Sequence, residues 1–421
     1  MKKLLALILS MTMALSLAAC SSSDSTSTDV STDTSTSTDA STDTSTSTDA
    51  STSSTTEASD IMVGAIYITS QNDTSGYTYQ HHNGIVTAMA NLGLDADTQL
   101  KIVDNVPEDD TQVAAAIDNL AGQGCDIIFG ISFGYITAFD TAANQEEYSD
   151  IIFSHATGYM SNDTNFNNYF GRIYQARYLA GVAAGLKSLE TGNDALGYVA
   201  AYNLEYAETC SGINAFTLGV QAVNPDATIY VNEISSWGDE TLERQAAQAL
   251  IDTYDVGIIT QHSDSAQPQM VAEENGIFGM GYNSDMTEQA PNAHITAPVW
   301  NWYIYYQAAI EATMTDSASF MSTVGNFYGG LTEGFVAISP LTDNATAGTQ
   351  EVLDVVADMM ISGEWDVFSG TSLNITITEA GPEIEMVEEP IMTNEGTEAG
   401  EINDGVITSS MNYNVAGVVV G

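Results

Sequence analysis

From residue 61 onward the chain alternates short apolar runs with longer stretches of helical spacing. Ile61–Thr69, IMVGAIYIT, is apolar and β-rich almost throughout, as a strand buried on both faces reads. The loop Asn72–Gly76 follows, and Tyr77–Leu92 has helical spacing. Further strands are expected at Lys101–Val106, Asp126–Gly130 and Asp150–Ser154, with a helix at Thr111–Ala121. The pattern restarts after a break near Phe170–Tyr174. Helices are expected at Tyr174–Leu189, Glu208–Ala222, Thr241–Thr253, Pro268–Asn275 and Trp300–Met314. Between them lie strands at Ala195–Ala201, Pro225–Val231, Val256–Thr260, Ile277–Tyr282 and Ile295–Val299. The Ala- and Gly-rich helix Tyr174–Leu189 is expected to pack closely on a sheet. This succession predicts an α/β fold of two doubly wound units in series, each a mostly parallel sheet with helices on both faces. Two such lobes place a ligand in the cleft at the carboxyl ends of their strands.

The residues before this part follow a different pattern. Lys2 and Lys3 precede a mostly apolar run, Leu4–Leu17, and then Ala18, Ala19 and Cys20. A basic, apolar, small-residue order reads as an export signal rather than a spanning helix. Its end at a cysteine resembles the bacterial lipobox, which implies cleavage after residue 19 and lipid attachment at Cys20. Residues 20–59 are nearly all Ser, Thr, Asp and Ala, and STDTSTSTDA occurs twice in succession. Such a segment has almost nothing to bury against its ordering entropy and reads as an extended tether.

Charge narrows the classes of partner. The chain carries 7 basic and 56 acidic residues, a net charge of −49. After the signal its basic side chains are Lys101, Arg172, Arg177, Lys187 and Arg244. A nucleic-acid binder needs a basic footprint that is missing here. After the signal no apolar run approaches spanning length, so the membrane is reached by the lipid alone. Cys125 and Cys210 read as buried free thiols, and no cysteine or histidine cluster has metal spacing.

The loops leaving the expected strands carry the candidate chemistry. The first holds Asp73, Gly76 and Tyr77, followed by Tyr79, His81 and His82. GISFGY ends in Tyr135, and Ser154 and His155 follow Phe153. ITQHSDS supplies Gln261, His262 and Asp264, GYNSDM supplies Tyr282, Asn283 and Asp285, and APVWNW supplies Trp300, Asn301 and Trp302. Aromatic faces with amide and carboxylate groups suit a planar, many-acceptor ligand such as a nucleobase. The same residues also suit a structural reading, with the aromatics in the core and the polar groups capping helices. Catalysis has little support. Ser154 and His155 are neighbours in sequence, the wrong geometry for a base and its nucleophile, and no phosphate loop or nucleophile elbow is present. No cofactor is implied.

These stretches, together with NNYFGRIYQARYLAGVAAG, GINAFTLGVQAVNPDA and SSWGDETLERQAAQALID, resemble the basic membrane protein family. These are PnrA-like substrate-binding lipoproteins of ABC importers, many of which bind purine nucleosides or bases. The resemblance runs from about Ile61 to Gly421. It implies two Rossmann-like lobes of the type I periplasmic-binding-protein fold joined by three crossings. Lobe 1 would span residues 60–170, with about 300–335 returning to it. Lobe 2 would span 171–299, completed by about 336–421 with an acidic loop near 377–401. It also implies a ligand between Tyr77 and Tyr135, with Asp73 in the first loop, Asp285 on a sugar, and Asp264, Trp300 and Asn301 in the cleft. The expected partners are a purine base or nucleoside and the permease and ATPase subunits of an importer. No Lys stands near Trp300 and Asn301, which leaves free bases open, and riboflavin or another planar heterocycle would stack equally well. A surface adhesin is the alternative from another class.

Overall fold

The computed structural model describes residues 60–378, 380–399 and 402–421. The signal, Cys20 and the tether lie outside the described residues. Strands β1 (Val63–Tyr67), β2 (Leu100–Val103), β3 (Ile127–Ile131), β4 (Ile152–Ala156) and β5 (Phe166–Gly171) form one parallel sheet. Strands β6 (Ala195–Ala200), β7 (Thr228–Glu233), β8 (Ile258–His262), β9 (Phe278–Met280) and β10 (His294–Thr296) form a second. β11 (Pro298–Trp300) leaves the second sheet, and β12 (Phe327–Gly329) joins the first beside β5. β13 (Val336–Ile338) pairs antiparallel with β11. β14 (Ser372–Thr378) and β15 (Gly381–Val387) make a hairpin, and β16 (Val418–Val420) adds to β7.

The sheet orders are β12-β5-β4-β3-β1-β2 and β10-β9-β8-β6-β7-β16. Both place their first strand between the second and the third, so each lobe has its switch point beside that strand, where ligands of such sheets bind. β1, β3, β4 and β8 are buried along their whole length. Apolar cores cover both faces of each sheet, with Ile128 and Phe129, neighbours on β3, entering opposite cores. Several helices start where aspartate side chains accept from free N–H groups: Asp109 from Gln112 N, and Asp239 from Thr241 N and Leu242 N.

Three differences from the sequence pattern have physical causes. β5, FNNYFG, is a strand although two of its residues are amides. Asn167 Nδ2 donates to the Tyr305 hydroxyl (2.8 Å) and the Gly325 carbonyl (2.5 Å), so its burial is compensated. The expected strand 295–299 is two short strands divided at Ala297, one in the second sheet and one in the crossing ribbon. The acidic stretch near 377–401 is not all loop: it begins within the β14–β15 hairpin, where Leu373 and Ile375 alternate with polar residues and are buried.

The Ala/Gly helix Ile173–Thr191 also meets a helix, Ala207–Val223, at very short range. A Cβ added at Gly219 would stand 2.2 Å from the Tyr178 carbonyl oxygen, and one at Gly181 would stand 2.3 Å from that of Phe216. Backbone cannot yield as a side-chain tip can. Gly219→Ala should therefore cost about 1–3 kcal/mol, the range of overpacking in a closely packed core. Thermal unfolding checks this, and an unchanged midpoint would refute the close-packing account.

Candidate functional site

The carboxyl ends of both sheets converge on Asp264. It follows β8 in the second lobe and accepts from the backbone N–H of Tyr77, at the start of the first lobe's helix Gly76–Asn91. Asn283 Nδ2 donates to its Oδ1 at 2.8 Å. Its own N–H donates to the Trp237 carbonyl at 2.9 Å. Gly76, at φ +81°, allows this approach: a Cβ there would meet the Asp264 Cβ at 3.1 Å. A carboxylate at a helix N-terminus is favoured by the unpaired N–H groups it faces. Here burial, with Glu243 nearby, dominates instead and pushes the carboxyl up to about 7.

An aromatic series runs inward from the same contact. Tyr77 meets His81 edge-on at 4.3 Å, His81 stacks on Trp302 at 3.9 Å, and Trp302 stacks on Trp300 at 4.6 Å. Trp300 Nε1 donates to the Tyr282 hydroxyl at 3.3 Å, and the Tyr282 ring lies 4.7 Å from His262. On the second lobe Trp237 is 39% exposed and packs on Tyr202 and Tyr206 at 5.2 and 5.6 Å. On the first, exposed Phe133 lies near Tyr159, and Glu108 accepts from Ser132 Oγ and Gly134 N.

The residues expected from sequence separate into two groups. Tyr77 and Asp264 meet at the junction of the lobes. Asp73 lies on the same first loop, where it accepts from Thr69 Oγ1 at 2.6 Å and tightens the turn. Trp300 and Asn301 lie on the crossing. Trp300 is buried, and Asn301 Nδ2 donates to the Gly334 carbonyl at 2.7 Å. Asp285 is exposed and accepts from Thr287 N and Thr287 Oγ1, which makes it a turn cap in this structure. Tyr135 stands close enough to Tyr77 for its hydroxyl to raise the Tyr77 phenol. Its ring is fully buried in the first lobe and its hydroxyl donates to the Val106 carbonyl at 2.5 Å. Trp237, whose backbone carbonyl accepts from the Asp264 N–H, is partly open, and Tyr77 is half-buried. His81 is buried with Nδ1 on the Tyr306 hydroxyl, and His155 Nε2 lies 2.7 Å from the Ser132 carbonyl. Among the described residues no three His, Cys, Asp or Glu side chains gather as a metal ion would require.

Sequence reasoning passed over Trp237, Glu208 and Arg177. Trp237 sits in a polar loop after β7, and its place after a strand was an available signal. Arg177 is one of five basic residues beyond the signal and lies inside an Ala/Gly-rich helix, an arrangement that asks for a specific partner.

Residues 61–364 match the family model of the PnrA-like ABC transporter substrate-binding proteins, and the chain belongs to that family. A purine-binding protein of Brucella abortus is 34% identical over 361 residues, 85% of this chain and 93% of that one. A Haloferax volcanii protein provisionally named an ABC transporter glucose-binding protein is 36% identical over 250 residues, 59% of this chain and 60% of that one. A solute-binding protein of an ABC transporter system from Conexibacter woesei aligns with a TM-score of 0.56 at 19% identity, covering 73% of this chain and 98% of that one. The two parallel-sheet lobes are those of type I periplasmic solute-binding proteins. Proteins of this family bind small solutes outside the cytoplasm and work with ABC transporters. No helix among the described residues is long and apolar enough to cross a membrane.

The raised Asp264 carboxyl makes a signed prediction. Between the ordinary carboxylate range and about pH 7 the folded chain holds a proton there that the unfolded chain has lost. Stability from this site therefore falls as pH rises through that window and levels off above it. Thermal midpoints of wild type and Asp264→Asn, compared from pH 5 to 8, should show the variant gaining on the wild type as pH rises. A difference that does not vary with pH would contradict the assignment.

Proposed function

We propose that this member of the family is a lipid-anchored receptor for a purine base or purine nucleoside, without catalytic activity. The ligand is held between the lobes and delivered to an ABC permease driven by a separate ATPase. The observation that carries the ligand class is the grouping at the lobe junction: Asp264, the Tyr77 backbone and the Trp237 backbone converge there, and the partly open Trp237 ring packs near His262, two residues before Asp264. A planar ring stacked on Trp237 and Tyr77 would reach carboxylate and amide groups around its edge. The purine-binding relative from Brucella abortus, aligned over most of both chains, supports the same class. Asp73 and Asp285 lie on loops at the two carboxyl edges. In the proposed complex Asp73 orients the base and Asp285 reaches a ribose when one is present, while Trp300 and Asn301 support the floor. The acidity of the chain disfavours nucleotides, whose phosphates need donors or cations.

Calorimetry against purine bases, nucleosides, nucleotides, riboflavin and glucose tests this reading. The expected result is binding of a base or nucleoside, weakened about ten-fold by Trp237→Ala, the upper end of what a lost aromatic stack contributes. Binding of glucose with no response to purines would instead favour the ligand named for the Haloferax volcanii relative.

The anchor rests on Cys20 after a basic and apolar leader, with a polar tether behind it. Cys20→Ala should move the protein from the membrane to the soluble fraction of a bacterial host. Unchanged membrane retention would refute the lipid anchor and leave the receptor reading standing.

A further inference from the structure

We propose that Glu208, seated on Arg177 and His262 at the carboxyl edge of the second sheet, is a ligand-reading residue that accepts a hydrogen bond from an N–H or amino group. The proposal rests on the reading above that the cleft takes a planar nitrogen heterocycle. Glu208 is in the first turn of the helix Ala207–Val223, directly after Tyr206 of the exposed aromatic group. Its Oε1 lies 2.9 Å from His262 Nε2, without the alignment of a hydrogen bond, and its side chain stays 19% exposed. His262 is the last residue of β8, two positions before Asp264, and is fully buried.

Beneath them lies Arg177, fully buried. Its Nη1 donates to the Gln261 carbonyl at 2.6 Å, and its guanidinium carbon stands 3.9 Å over the Tyr282 ring. Its Nε and Nη2 have no hydrogen-bond partner. Asn203, whose carbonyl accepts from Oγ1 of Thr209, the residue after Glu208, is 3% exposed and its Oδ1 also has no partner. Buried polar atoms are rarely left unsatisfied, so each of these calls for a partner that the neighbouring side chains do not supply. Burying a guanidinium costs several kcal/mol unless charge compensates it, and Glu208 is the carboxylate within its range.

Glu208 keeps part of its side chain exposed beside the junction of the lobes, within reach of a ligand held there. The charges around Glu208 also set it apart from Asp264. His262 and Arg177 draw the Glu208 carboxyl down against the opposing effect of its burial, whereas Asp264 is pushed up by burial and by the Glu243 and Glu208 carboxylates. Tyr198 and Tyr282 complete the groups facing this cluster. Two neighbouring carboxyls whose surroundings drive them apart take different roles. Glu208 stays an acceptor across neutral pH, while Asp264 below about pH 7 can also donate.

Adenine and 9-methylpurine separate this role from packing, because both stack but 9-methylpurine carries no N–H or amino donor. Calorimetry on the full chain should show Glu208→Gln weakening adenine at least ten-fold and leaving 9-methylpurine within two-fold. Glu208→Asp keeps the charge that balances Arg177 and withdraws the carboxylate by one methylene. It should keep the wild-type melting temperature and still lose adenine affinity, which covers a folding defect in the Gln variant. Unchanged adenine affinity in a folded variant, or equal losses for both probes, would overturn the assignment while the purine reading stands. A wild type that binds neither probe would overturn the ligand class and this assignment together.

Discussion

The junction of the two lobes depends on one desolvated carboxylate. Asp264 is tied to the first lobe through the Tyr77 N–H, to its own lobe through Asn283, and to the Trp237 loop through its backbone. Three segments distant in sequence are thereby held around one side chain. The cost of desolvation appears in the raised Asp264 carboxyl, and its two donors, the Tyr77 N–H and Asn283 Nδ2, limit it without abolishing it. A neutral residue would make the same junction with less strain. The carboxyl retains the capacity to change its hydrogen-bonding character near neutral pH, which a neutral residue would lack.

The strong negative charge makes each basic residue informative. Lys187 pairs with Glu190 and lies 4.5 Å from the Phe278 ring, and Arg244 reaches Glu274 on the surface. The exposed Arg244–Glu274 pair contributes about 1 kcal/mol or less, and the buried Lys187 still reaches the half-exposed Glu190. Arg177 differs because it has no solvent to share its charge with. It lies under Tyr282 and Gln261, and its charge is felt by both Glu208 and His262 at the second lobe's edge.

Much of the fold was legible because its strands are short, apolar and separated by helices of regular spacing. A buried parallel strand has a simple signature, and β1, β3 and β8 show it. β5 was hidden by Asn167, whose burial depends on Tyr305, 138 positions away. Of the site, Asp264 and Tyr77 were legible from their place after apolar strands. The burial of the Tyr135 ring was not, because it depends on the Val106 carbonyl, 29 positions earlier, which takes its hydroxyl. Glu208 was read as the start of a helix, and its counter-charge lies on a different helix 31 positions earlier in the chain. Sequence order carries no record of such a pairing.

The crossings between the lobes belong to the same physical object as the cleft. Trp300 lies on crossing strand β11, yet it stacks on Trp302 of the first lobe and donates to Tyr282 of the second. Asn301 binds the Gly334 carbonyl on the returning crossing. At the first crossing, Arg172 donates to the Tyr328 carbonyl and pairs with Asp404 at 2.7 Å. Asp404 lies beyond residue 364, where the family match ends. The C-terminal segment is therefore not an appendage. It contributes β16 to the second sheet and a carboxylate to the crossing. The partly exposed Arg172–Asp404 pair adds little to folding, but it stands where the segments linking the lobes come together. The aromatic series that ends at Tyr77 starts on the neighbouring crossing strand β11, where Trp300 also packs on Phe170, two residues before Arg172.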